Sequence, residues 1–184
     1  MYDNFSYICS VPIKMIFATD VGYGIGVNNN LPNWKLKGDL SRFKKLTIGK
    51  GNNFVIMGRN TWKSIGEKPF KNRHNIILSK TMRKNTNENE INIAEDITQA
   101  FQIIDNLKKP NSELWVIGGA QLYEDFIPYA CEIHWTKAMN IYECSIYLSK
   151  EFIKSMITKI WSIEHIENES NESDSYIYSV WNNN

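Results

Sequence analysis

The chain has 184 residues, 42% of them hydrophobic, and six Trp, nine Tyr and eight Phe, enough for one domain with a sizeable core. A formal charge of +1 leaves no polyanion-binding footprint, which argues against nucleic acid as a partner, and no apolar run approaches the roughly 20 residues of a membrane span. No basic-then-apolar leader opens the sequence, and the scattered Cys9, Cys131, Cys144, His74, His134 and His165 form neither a disulfide framework nor a metal site, so a reduced, cytoplasmic protein is expected.

Residues 1–12 are polar and aromatic without a period and read as an N-terminal extension or lead-in strand, leaving 13–184 as the single domain. Residues 13–19 form an apolar run of strand length, and a loop dense in Gly and Asn follows over 20–30. Its glycines do not complete a dinucleotide fingerprint, because Val27 stands where the third would fall. Pro32 and Asn33 make a turn. A helical pattern then puts Asp39, Phe43 and Leu46 on one face, with Lys37, Arg42, Lys44 and Lys45 mostly on the other. An Asp at the start of a periodic run ordinarily caps the helix. The alternative is a pocket carboxylate awaiting a cationic or amidine-like ligand, since burying an ionised carboxylate is costly unless something pairs with it.

Further along, 53–58 reads as a buried strand, 59–65 as a short helix, 73–79 as a strand, 80–90 as a polar surface excursion and 91–94 as a weak strand. The clearest helix spans 96–107, with Asp96 as N-cap, Gln99 at N3 and Ile97, Ala100, Phe101 and Ile104 as its stripe, stopped by Pro110. A strand at 113–117 ends in Gly118-Gly119, a helix resumes over 120–127, and 132–137 is a strand. Residues 161–167 and 176–181 alternate as an antiparallel hairpin does, with 168–174 as its loop. Strand and helix alternate over most of the length, which predicts an α/β domain with a parallel sheet.

Ligands of open α/β sheets bind at the carboxyl ends of the strands. Met57-Gly58 runs into Arg59-Asn60-Thr61, a helix start whose amides suit a phosphate, and Gly118-Gly119 repeats the arrangement before Ala120. At the third end, Leu78-Ser79-Lys80 offers a hydroxyl and an ammonium, and Arg59 with Lys80 suits a ribose 2′-phosphate, selecting NADPH over NADH. Each feature alone is ordinary, a tight turn or a solvated cation. Their coincidence is not.

The ordered set Gly24-Ile25-Gly26, Leu31-Pro32 with Trp34, Asp39 with Phe43, Thr47, Val55 to Trp62 with Ser64-Ile65, Arg73 with Asn75 to Ser79, Val116 to Gly119, Tyr123 and Thr136 resembles dihydrofolate reductase from about Ile16 to Trp181. The resemblance implies a central, mostly parallel eight-stranded sheet with an antiparallel C-terminal hairpin and about four flanking helices. It also implies NADPH-dependent reduction of 7,8-dihydrofolate by hydride transfer to C6 and protonation at N5. Asp39 would accept from the pterin N3 and 2-amino group, with Thr136 joining that network and Trp34 holding an ordered water. Ile16, Ala18, Leu31, Phe43, Ser64, Ile65, Ile117 and Tyr123 would line the substrate, the carbonyls of Ile16 and Ile117 facing its exocyclic amine. Arg73 would clamp the glutamate α-carboxylate, a bidentate task. Ala18, Ile25, Gly26, Gly58, Arg59, Asn60, Thr61, Leu78, Ser79, Lys80, Ile117, Gly118, Gly119, Ala120, Gln121, Leu122 and Tyr123 would line NADPH, under a flap at 21–30. No metal is implied.

Three positions depart from the family pattern. Asn33 stands as an insertion before Trp34, Asn72 stands where glycine is common, and Gln121 brings no positive charge after the Gly pair. The rival readings are an NADPH-dependent pyrimidine reductase of riboflavin synthesis and a non-catalytic folate-binding module. In some lineages the resembling domain is fused to thymidylate synthase.

Overall fold

A computed structural model describes residues 9–28, 30–83, 90–158, 161–169 and 174–183. At the centre of its main sheet β1 (Ile13–Thr19) lies parallel to β6 (Leu114–Val116) on one side and β7 (Glu132–Ala138) on the other. From β6 the sheet continues in parallel through β3 (Phe54–Gly58), β4 (His74–Leu78) and β5 (Ile91–Ala94). On the far side β10 (Tyr176–Asn183) runs antiparallel between β7 and β9 (Trp161–Glu169). The strand order β5-β4-β3-β6-β1-β7-β10-β9 is the expected eight-stranded, mostly parallel sheet with an antiparallel closing pair.

Alternation along the strands divides the core in two. Phe54 and Ile56 join Met15, Phe17 and Ile76 on one face, under α3 (Ile97–Leu107), α4 (Ala120–Phe126) and α5 (Lys150–Thr158). Val55 and Met57 join Ile16, Ile77 and Trp115 on the other, with Phe43 and Leu46 of α1 (Asp39–Ile48) and Trp62 of α2 (Arg59–Ser64). Both faces are covered, which is why β3 is apolar throughout. The fifth helix, α5, was not expected. It is mostly polar in sequence and buries Phe152, Ile153 and Met156 against the first face.

The expected cap of α3 is in place: Asp96 accepts from the Gln99 N–H at 2.8 Å, and Gln99 Oε1 returns a bond to the Glu95 N–H at 2.6 Å. Asp96→Ala should therefore cost about 1 kcal/mol. In a domain of this size that lowers Tm by about 2–4 °C, readable in a thermal melt.

Residues 1–8, 84–89 and 170–173, which hold most of the expected extension, much of the polar excursion and most of the hairpin loop, lie outside the described residues. Two parts of those segments are described and belong to the body of the domain. Val11 is buried in the first core cluster, and Met82 packs against the second, so the excursion is not wholly polar. Among the described residues no helix is long and apolar enough to cross a membrane, and no group of three or more His, Cys, Asp or Glu comes together as metal ligands.

Candidate active site

Gly38 sits at the N-cap position of α1 in a left-handed conformation, φ +85°, which a side chain would resist, and no side-chain cap bond forms there. Asp39 is the first helical residue and does not cap. Its Oδ1 instead accepts from the Thr136 hydroxyl of β7 at 2.6 Å, and no other hydrogen bond from the described residues reaches the carboxylate. Burial pushes the Asp39 pKa above the ordinary carboxylate value, against the opposing pull of the Thr136 bond and the Arg42 charge.

Arg42 departs from the helix face expected of it. Three positions on from Asp39 it borders the inward stripe, and its guanidinium lies 3.9 Å from the Tyr178 ring and 5.8 Å from that of Tyr176. A flat, weakly hydrated cation stacks on aromatic faces at little desolvation cost, whereas Lys44 and Lys45 stay exposed.

The Asn33 insertion is absorbed locally. The Trp34 N–H donates to the Pro32 carbonyl at 2.8 Å, so Asn33 is the apex of a three-residue turn. The Trp34 ring then lies edge-on to Tyr142 at 5.7 Å, beside Ala18 and the Leu36–Ala138–Tyr176–Tyr178 cluster.

The apolar side of the cleft is Phe43, Ile65 and Ile117, half-buried over Ile16, Met57 and Trp62, with Phe70 edge-on to Phe43 at 5.5 Å. Leu31, expected to line the substrate, is 64% exposed. Arg73 follows Asn72, which takes the φ of +60° that glycine would accept most readily. The Arg73 guanidinium lies 4.7 Å from the Phe70 ring and donates to Thr47 Oγ1 at 2.8 Å and to the Lys71 carbonyl at 3.1 Å.

The strand ends of β3 and β6 meet at glycines. The Gly58 N–H donates to the Gly118 carbonyl at 2.8 Å, and the Gly118–Gly119 peptide is cis. Thr61 Oγ1 would stand 3.5 Å from a Cβ on Gly119, so the α2 start and the Gly pair share one concavity. Beneath it Tyr123 is buried, its hydroxyl bound to the Ile16 carbonyl at 3.1 Å, and Leu122 packs in the first core cluster. Burial drives the Tyr123 phenol pKa far up, so it stays a neutral donor. At the β4 end, Ser79 Oγ accepts from the Thr81 and Met82 N–H groups at 3.4 and 3.1 Å, and Arg59 donates to Thr81 at 2.7 Å. That leaves Arg59, Lys80 and Asn60 at the surface. Gln121 is turned along its own helix to Asp125, at 3.0 Å.

The family model described as dihydrofolate reductase matches residues 12–182. The chain belongs to the dihydrofolate reductase family. It is 36% identical over 162 residues to the dihydrofolate reductase of Bacillus subtilis, covering 88% of this chain and 89% of that protein. Identity to the dihydrofolate reductase of Ureaplasma parvum is 33%, over 76% of this chain and 83% of that one. A bifunctional dihydrofolate reductase-thymidylate synthase of Paramecium tetraurelia is 34% identical over 89% of this chain, which spans only 36% of its length.

In this dihydrofolate reductase family member, described residues of the loop at 20–30 are hydrogen-bonded to distant parts of the chain. Its β2 (Gly24–Gly26) pairs with β8 (Ile146–Tyr147). The Ser145 N–H donates to the Gly26 carbonyl at 2.8 Å, and the Asn28 N–H donates to Ser145 Oγ at 3.2 Å. Buried Asp20 accepts from the N–H groups of Gly24 and Tyr142, at 2.8 and 3.1 Å. Tyr142 in turn donates its hydroxyl to Asp174, which also accepts from the Lys35 N–H at 2.6 Å. Sequence reasoning missed all four of these residues. Asp20 carried a usable signal, an Asp between a buried strand and a glycine turn. Tyr142, Ser145 and Asp174 carried none, since their partners are remote in sequence.

Proposed function

We propose that this chain catalyses reduction of 7,8-dihydrofolate to 5,6,7,8-tetrahydrofolate with NADPH, at the cleft between α1 and the ends of β1, β3 and β6. The observation that carries the reading is Asp39: a carboxylate of raised pKa, bound by the Thr136 hydroxyl, on the helix face that packs Phe43 and Leu46 against the second core cluster. Such a group is suited to the paired N–H donors of a 2-aminopterin, which supply the charge-assisted bonds that burial has removed. The glycine concavity fits the cofactor, since a Cβ on Gly118 would meet Tyr123 and one on Gly119 would fill the space before Thr61. Bound there, NADPH supplies the hydride for C6 of the pterin. Asp39 and Thr136 orient the ring, Phe43 and Ile65 wall it, and Trp34 holds the water that brings the N5 proton. Arg59, with Ser79 and Lys80 nearby, takes the 2′-phosphate.

Arg73 supports dihydrofolate over a phosphoribosylated pyrimidine, because a guanidinium braced by Thr47 and Phe70 is shaped for a carboxylate tail. Arg73→Lys should raise the dihydrofolate KM by about 10- to 100-fold with kcat little changed, through loss of one bidentate contact. A pterin lacking the glutamate tail should be insensitive to the change. The reaction itself is tested by loss of NADPH absorbance on adding dihydrofolate, with methotrexate as inhibitor. Tight methotrexate binding without turnover would leave a folate-binding module, and neither binding nor turnover would sink the reading.

We also infer a cytoplasmic setting, supported by three unpaired cysteines, and cooperation with a thymidylate synthase, supported by the paired name of the Paramecium relative.

A further inference from the structure

Asp39 is the first residue of α1, and Arg42 follows it by three, so the two side chains are neighbours on the helix surface. A cation beside a ligand-binding carboxylate would ordinarily swing into solvent. Here the guanidinium is seated 3.9 Å from the ring of Tyr178, a residue only 6% exposed and paired across the sheet with Thr136, the hydroxyl that holds Asp39. Tyr178 is itself fixed. Its hydroxyl meets His134 Nδ1, and His134 Nε2 meets Glu132 Oε1. A carboxylate only accepts, so Nε2 carries a proton towards Glu132. Lys14 closes the row, 3.1 Å from Glu132 and 2.9 Å from Glu113.

We propose that Arg42 is a positioning residue that keeps the Asp39 carboxylate ionised in its apolar pocket, with Tyr178, pinned through His134 and Glu132, as the platform that holds the guanidinium there. The proposal rests on Asp39 being the carboxylate that binds the pterin. Among the described residues the groups that act on the Asp39 carboxylate are the Thr136 hydroxyl of β7 and the Arg42 charge on its own helix, and the Arg42 field opposes the rise that burial imposes.

An ionised Asp39 accepts both pterin N–H groups, so dihydrofolate affinity falls as pH drops through the Asp39 pKa. Removing the neighbouring cation lets burial raise that pKa, so the loss starts at higher pH. The experiment is the pH dependence of the dihydrofolate Kd, followed by tryptophan fluorescence, in wild type and in Arg42→Met, Arg42→Gln, Arg42→Lys, Tyr178→Leu and Asp39→Asn. The Met and Gln variants should move the midpoint up by about one pH unit, equivalent to about tenfold weaker binding on its acid side. Arg42→Lys should stay near wild type, and Tyr178→Leu, with charge kept but platform lost, should fall between. Gln keeps a planar polar head without charge, so it carries the test if Met does not fold. Midpoints unchanged in both neutral variants would overturn the proposal. A pH dependence that survives in Asp39→Asn would instead overturn the assignment of Asp39, and with it the functional reading.

Discussion

Asp39→Asn is expected to lower kcat/KM for dihydrofolate about a thousandfold while raising the melting temperature at neutral pH. The two effects share one cause. The carboxylate accepts two N–H groups of the pterin as charge-assisted bonds worth about 1.5–3 kcal/mol each. An amide has one acceptor and opposes the other ligand donor with its own NH2, so at about 1.4 kcal/mol per tenfold the loss is on the order of 10²–10⁴ in rate. In the free protein the same carboxylate is a liability. Burial raises its folded pKa above the unfolded one, so between those two values the folded chain binds more protons and stability falls as pH rises. Below the ordinary carboxylate pKa that penalty is absent, and above the raised folded pKa it is present in full. Asparagine removes it and can still accept from Thr136. Steady-state kinetics and melts at pH 4 and pH 7 check both halves, and the stability gain should shrink at the lower pH. A variant that lost activity and stability together at pH 7 would mark Asp39 as structural.

Gly118→Ala is the second large effect, and it acts on the fold first. Gly118 has φ +115°, a region costing about 1–3 kcal/mol for an L side chain. A Cβ there would also stand 3.0 Å from the Tyr123 hydroxyl and 3.3 Å from its Cζ. Tyr123 has little room to move, since it is buried and bound to the Ile16 carbonyl. About 3 kcal/mol in all corresponds to a Tm lower by about 6–12 °C, with NADPH affinity falling as well because the concavity is filled. Adding Tyr123→Phe separates the causes. It removes the 3.0 Å contact and leaves both the ring contacts and the backbone strain, so rescue should be partial at most. Full rescue would place the whole cost in the hydroxyl contact.

What the sequence made legible is what depends on near neighbours. The α3 cap and stripe, the buried run of β3 and the alternation of β9 and β10 are local patterns, and each strand or helix built from them lies within a few residues of its expected bounds. The position of Asp39 on its stripe was equally plain, and of its two readings the structure excludes the cap, since Gly38 holds the N-cap position and the carboxylate turns to Thr136. The anchoring of the flap could not be read in this way. It rests on Tyr142 reaching Asp20 across 122 residues of sequence and on Lys35 reaching Asp174 across 139, and no window reports such a pair. The inward turn of Arg42 was misjudged for a different reason. A periodicity count treats every arginine as polar, whereas a guanidinium over an aromatic face behaves as part of the interior.

The position of β10 has a consequence for the order in which the protein can be made. It is the last of the described strands in sequence, yet it is inserted between β7 and β9. A chain emerging from the ribosome can assemble β1 through β7 as it appears, but β7 keeps an open edge until β10 arrives. Tyr178, the seat of Arg42, arrives with it. The sheet therefore closes, and the pocket around Asp39 is completed, only once β10 has been made, so a nascent chain lacking β10 would present an unpaired edge for chaperones to shield.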